Sequence, residues 1–272
     1  MPLVSFPAWF FDYDNDGHLD LFGGSYWLPF GDEVASLTGA NAPCGAALSK
    51  LYRNTGNGTY EDVTEQAGLD VVITAMGANF GDLDSDGFLD IYVGTGSPSL
   101  MHLVPNRFFH NQGGSRFADA TFSADVGHLQ KGHGIAFGDF DADGDQDLLV
   151  NLGGAARVDR FQPALFRNPG NGNQSLEITL VGLESNRAGI GARITATLSD
   201  DTTVYRTVTS GGPFGASPLR QHIGLGANPG IKTLTIDWPS GSRDLFEDVP
   251  VSEHLLIEEG GDVQVLLGSD KR

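Results

Sequence analysis

One nine-residue acidic segment occurs three times in this chain and constrains its fold more than any other feature. The copies are Asp12-Tyr13-Asp14-Asn15-Asp16-Gly17-His18-Leu19-Asp20, Asp82-Leu83-Asp84-Ser85-Asp86-Gly87-Phe88-Leu89-Asp90 and Asp139-Phe140-Asp141-Ala142-Asp143-Gly144-Asp145-Gln146-Asp147. Each sets aspartates at positions 1, 3, 5 and 9 around a glycine at position 6. Carboxylates this dense repel one another unless a cation sits among them, and hard oxygen ligands at this spacing suit calcium. The expected ligands are the side chains at positions 1, 3 and 5, the backbone carbonyl at position 7 (His18, Phe88 and Asp145), and position 9 directly or through water. That gives about three calcium ions, one per loop. Plain acidic turns would need neither three alternating carboxylates nor a fourth at a fixed offset.

The loops are not helix-flanked. A helical calcium hand requires a bidentate Glu at position 12, where this chain has Gly23, Val93 and Val150. The segments that follow, Asp20-Leu-Phe-Gly-Gly, Asp90-Ile-Tyr-Val-Gly and Asp147-Leu-Leu-Val-Asn, are short runs typical of strands ended by turn formers. A larger repeat encloses them. Leu51-Tyr52-Arg53-Asn54, Phe108-Phe109-His110-Asn111 and Leu165-Phe166-Arg167-Asn168 recur every 57 residues, as do the second and third loops. The first repeat is 13 residues longer, and the excess falls within residues 31–49, which include the only cysteine, Cys44. A period near fifty residues, several short strands per unit and 38 glycines predict β-propeller blades. From about residue 175 the period ends, and segments such as Ser175-Leu-Glu-Ile-Thr-Leu-Val and Lys232-Thr-Leu-Thr-Ile-Asp-Trp238 alternate apolar and polar residues, as half-buried antiparallel strands do.

The segment Phe80-Gly-Asp-Leu-Asp-Ser-Asp-Gly-Phe-Leu-Asp90 and its two sisters resemble the FG-GAP/VCBS repeats of integrin-like propellers. The tail, with Asn186-Arg-Ala-Gly-Ile-Gly-Ala-Arg193, Arg220-Gln-His222-Ile-Gly-Leu-Gly226 and Asp237-Trp238-Pro239-Ser240-Gly241, is similar to the ASPIC/UnbV domain that follows such repeats. The resemblance implies calcium binding in a propeller of a secreted, periplasmic or cell-surface protein, with adhesion or another interaction with a protein or glycan ligand as its role. Through the UnbV relatives it also permits an enzyme or accessory factor of small-molecule, natural-product biosynthesis. The expected fold is all-β: a partial propeller of about three blades over residues 1–174, then a small β-sandwich-like domain over residues 175–272. Three units are too few to close a ring, so the expectation is an N-terminally incomplete, open array completed by missing blades or by a homo-oligomer partner.

The rest of the sequence narrows the classes. A net charge of −19 opposes a phosphate backbone, whose binding needs clustered Lys and Arg. No apolar run is long enough for a membrane span. His133, with Met76 at the matching place in the second unit, reads as a blade packing position before a ligand. His128 and His133 are too loosely spaced for a zinc pair. Arg220 and His222 read as an exposed or edge-strand pair, with an anion or partner site as the alternative. Arg53 and Arg167, with His110 in their column of the repeat, are expected to pair with neighbouring blade carboxylates before recognising a ligand. No catalytic motif such as G-x-S-x-G, H-E-x-x-H or a P-loop is present.

Overall fold

A computed structural model describes residues 5–26, 48–96, 104–154, 157–209, 212, 214–251 and 254–266. Cys44 and nearly all of the inserted stretch lie outside the described residues. The chain forms five β-sheets. The first two are four-stranded meanders: β1 (Ser5–Phe11), β2 (Asp20–Ser25), β3 (Lys50–Asn54) and β4 (Tyr60–Asp62), then β5 (Ala75–Gly81), β6 (Asp90–Thr95), β7 (Arg107–Asn111) and β8 (Phe117–Asp119). The third has three strands, β9 (Gly132–Gly138), β10 (Asp147–Leu152) and β11 (Ala164–Phe166), with β10 central. Each acidic loop closes the first hairpin of its sheet, because its ninth residue pairs with the last residue of the strand before it: Asp20 with Phe11, Asp90 with Gly81 and Asp147 with Gly138.

Aromatic and branched side chains fill the space between these sheets. Trp9, Phe11, Phe22, Leu51, Ile91, Phe109 and Phe117 belong to one cluster, and Tyr92, Phe108, Ile135, Phe137 and Leu148 to the next. Burying each such side chain contributes on the order of 1.5–3 kcal/mol. Between the second and third sheets the backbones themselves meet. A Cβ on Gly77 of β5 would stand 1.6 Å from the carbonyl oxygen of His133 on β9, so only glycine fits there.

The remaining strands make two more four-stranded sheets. One has the order β15 (Gln221–Gly226), β12 (Gln174–Val181), β18 (His254–Glu258), β19 (Val263–Leu266); the other has β14 (Thr203–Thr207), β13 (Arg193–Leu198), β16 (Ile231–Asp237), β17 (Arg243–Val249). β12 and β18 run parallel. The two sheets share one core, with Leu176, Ile178, Ile194, Ile223, Leu234, Ile236, Leu255 and Ile257 buried.

This count of sheets corrects the sequence expectation. The fold is an all-β, propeller-type assembly of five sheets, not a partial one of about three blades. Among the described residues there is no α-helix, only a 3-10 turn at Arg157–Asp159. The expectation counted only units that carry an acidic loop. The strands from β12 onward share neither loop nor period, yet they build two further sheets of the same size. They do not stand apart, because β14 and β15 press on the first two acidic loops, as the contacts below describe. The open three-sheet array expected from the repeats is overturned with it. No helix among the described residues is long and apolar enough to cross a membrane.

Candidate metal centres

All three acidic loops fold in the same way. The first aspartate accepts hydrogen bonds from the backbone N–H groups of positions 5 and 6: Asp12 from Asp16 and Gly17, Asp82 from Asp86 and Gly87, and Asp139 from Asp143 and Gly144, all at 2.8–3.1 Å. Position 5 accepts from the N–H of position 7, in the pairs Asp16–His18, Asp86–Phe88 and Asp143–Asp145. The glycines at position 6 have φ of +84°, +95° and +97°, and position 4 is also left-handed, at Asn15, Ser85 and Ala142. That backbone folds each loop tightly back on its first aspartate.

Position 9 has a different job. Both oxygens of Asp20 are engaged by backbone donors, Oδ1 by Asn54 N–H at 2.7 Å and Oδ2 by Tyr13 N–H at 3.2 Å. Asp90 is held in the same way by Asn111 and Leu83, and Asp147 by Asn168 and Phe140. The repeating asparagine then reaches back one sheet. Asn111 Nδ2 donates to Tyr13 O of the first loop, and Asn168 Nδ2 to Leu83 O of the second. The 57-residue column of asparagines is thus a chain of links from each unit to the loop before it.

Ligand-capable atoms converge within 4.8 Å of one another in three groups: Asp12, Asp14 and Asp20; Asp84, Asp86 and His110; Asp139, Asp141 and Asp147. Two oxygens in these groups, Asp14 Oδ1 and Asp84 Oδ1, are buried without a hydrogen-bond partner. A buried carboxylate oxygen left bare is costly, and a cation at the centre of the loop would satisfy it. The residues therefore fit a metal ion. Burial raises the carboxyls of Asp12 to about 6 and of Asp20 and Asp82 to about 7, as expected of carboxylates crowded out of water without a full set of counter-charges.

The cationic column pairs as expected. Arg53 Nε lies 2.8 Å from Asp14 Oδ2, His110 Nε2 lies 2.9 Å from Asp84 Oδ2, and Arg167 pairs with Asp141 and Asp143. The His110–Asp84 hydrogen bond raises the imidazole to about 9.

A second set of partners, not anticipated in the sequence reading, comes from the C-terminal sheets. Arg206 of β14 places Nη2 3.0 Å from Asp82 Oδ2, with the side chains only 5% and 1% exposed. Its other donors go to Gly87 O, His222 O and Tyr205 O. Ser85 Oγ lies 3.0 Å from His222 Nε2, and Gly226 N–H donates to Ser85 O. On the first loop, Asn15 Oδ1 accepts from Tyr205 N–H and Arg193 donates to Gly17 O. His222 is therefore buried on an edge strand, not exposed, and Arg220 pairs with Glu177 at 3.0 Å. A signal for Arg206 did exist. In Thr203-Val204-Tyr205-Arg206-Thr207 the inward phase is held by Val204 and Arg206, and an arginine in that phase requires a buried carboxylate.

The third loop is met by a lighter contact from these sheets, Ser175 Oγ of β12 donating to Gly144 O at 2.8 Å. It borders a pocket of about 260 Å³ lined by Asp139, Asp143, Asn173, Glu177 and Arg220. His133 lies on β9, and His128 Nδ1 accepts from Gln130 N–H.

A family model described as FG-GAP-like repeat matches residues 12–93, and one described as ASPIC and UnbV matches residues 182–264. Cartilage acidic protein 1 of Mus musculus and that of Homo sapiens are each 34% identical to this chain over 99 residues, 36% of this chain. The match spans 14% of the length of each of these curated relatives. The chain carries FG-GAP and ASPIC/UnbV domains and is homologous to cartilage acidic protein.

Proposed function

We propose that the chain is a calcium-binding, non-enzymatic interaction or adhesion module. One ion would sit in each acidic loop, held by Asp12, Asp14, Asp16 and Asp20 with the His18 carbonyl, by Asp82, Asp84, Asp86 and Asp90 with the Phe88 carbonyl, and by Asp139, Asp141, Asp143 and Asp147 with the Asp145 carbonyl. The observation that carries this reading is the pair of buried, unpartnered oxygens, Asp14 Oδ1 and Asp84 Oδ1, at the same place in two copies of one loop. All-oxygen loops of this kind favour calcium over magnesium, which demands a strict octahedron and gives up water reluctantly. The same reading divides the chain into repeats over 1–174 and a C-terminal domain over 175–272. It assigns a secreted, periplasmic or surface location, and a protein or glycan as the partner.

The junction between the repeats and the C-terminal sheets encloses about 50 Å³ beside Asn79, Gln146, Arg206 and His222. Two larger pockets lie at the same junction, about 520 Å³ beside Asn15, Asp86, Val204 and Leu225 and about 260 Å³ beside Asp139 and Arg220. The non-enzymatic reading rests instead on the sequence, which carries no recognised catalytic motif. The test is metal analysis after exhaustive dialysis against calcium. About three ions per chain are expected, and Asp84→Ala should lose one of them. A chain that retains no calcium would sink the reading. Screening glycan and matrix-protein arrays with and without calcium then tests the adhesive role.

A further inference from the structure

The three loops are equivalent in sequence but not in the charges around them. The first and third have an arginine in the repeat column, Arg53 or Arg167, which pairs with loop carboxylates from a side chain 45% or 68% exposed to solvent. The second has His110 in that column and receives, from 124 residues along the chain, the guanidinium of Arg206. Arg206 cannot swing away. It is buried, its Nε and both terminal nitrogens are committed to acceptors, and one of those acceptors, Gly87 O, belongs to the loop itself. The converging oxygens differ accordingly. They come from positions 1, 3 and 9 in the first and third loops, but from positions 3 and 5 with His110 in the second, where Arg206 holds position 1.

We propose that Arg206 is a resident cation of the second loop, which makes that loop the weak calcium site of the three and couples its occupancy to the docking of the C-terminal sheets. The inference rests on the calcium reading above. A fixed positive charge on a shared carboxylate opposes a divalent ion in the same loop, and burial leaves that repulsion poorly screened. Because coupling is reciprocal, calcium entering the second loop loosens the Arg206 latch to the same degree that the latch weakens calcium.

Isothermal titration of the full-length, calcium-stripped chain is the test. The expected result is two tight sites and one at least about tenfold weaker. Asp84→Asn should abolish the weak class and leave both tight sites. Arg206→Gln should tighten the weak class about tenfold or more. Three sites of equal affinity would overturn the inference, as would loss of a tight site in Asp84→Asn. Should Arg206→Gln fail to fold, the Asp84→Asn titration alone decides the matter. No uptake by any loop would instead overturn the calcium reading on which the inference stands.

Discussion

The second and third acidic loops share a nine-residue pattern and an internal hydrogen-bond scheme, yet they live in different surroundings. Asp82 of the second loop is 1% exposed and touches a buried guanidinium. In the third loop the matching Asp139 is half-buried, and Asp141 and Asp143, about a third exposed, pair directly with the solvent-exposed Arg167. The motif sets the shape of each loop, whereas the neighbouring sheets set what each carboxylate costs and what it can hold. Ranking these loops by sequence alone would miss the largest difference between them.

Calcium removal should give the largest effect. A ligand present at about a hundred times its dissociation constant adds about 2.7 kcal/mol per site, so a chelator should lower the melting temperature strongly. Arg193 and Tyr205 grip the first loop, so the C-terminal sheets should lose stability with the repeats through that contact. The Arg206 latch on the second loop should tighten as its calcium leaves and offset part of the loss. Hydrogen exchange resolved by strand checks this; protection unchanged in β13 and β14 would break the proposed link between loops and docking.

Next in size is a pair of truncations in calcium-free protein. Asp82→Ala strands Arg206 as an unpaired buried charge and should cost about 3–5 kcal/mol. The matching Asp139→Ala, where no buried guanidinium is left stranded, should cost less, about 1 kcal/mol. Urea unfolding of both variants measures the contrast, and equal losses would mean that surroundings do not matter.

A smaller effect is expected from pH. Burial raises Asp12 to about 6 and Asp20 and Asp82 to about 7, all above the unfolded value of 3.8. Groups raised in this way contribute stability below the unfolded pKa and lose it as pH rises through the folded one. Calcium-free protein should therefore gain stability between about pH 8 and pH 5. Burial depresses His222 to about 3, which works in the opposite sense below its unfolded value of 6.5 and trims the gain. Thermal scans across this range in chelator should show the rise; in excess calcium the rise should shrink, since the ion competes with the protons. Smallest of all, Arg167→Ala removes a solvent-exposed pair and should leave the unfolding midpoint within measurement error.

Much of this was legible in the sequence, for reasons that can be named. The strands flanking each loop follow from short apolar runs between turn formers, and the pairing of Arg53 and Arg167 with blade carboxylates follows from their shared column, whereas the bond from His110 to Asp84 is seen only in the structure. The strands β17 and β19 were not singled out, because Leu245 and Val265 are exposed and the two strands bury little else to mark them. The number of sheets was misread because period identifies only units that repeat. The grip of Arg206 on Asp82 spans 124 residues, and one sequence reports the need for a partner at such a position but not which partner.

The aspartates at position 9 carry a kinetic consequence. Asp20, Asp90 and Asp147 are pinned at both oxygens by backbone N–H groups of the loop and of the following asparagine, so the cradle exists before any ion arrives. An ion entering such a cradle need not wait for the chain to fold around it. Uptake should proceed at a pace set by the ion shedding its own water, and ions should exchange at these loops without the sheets coming apart.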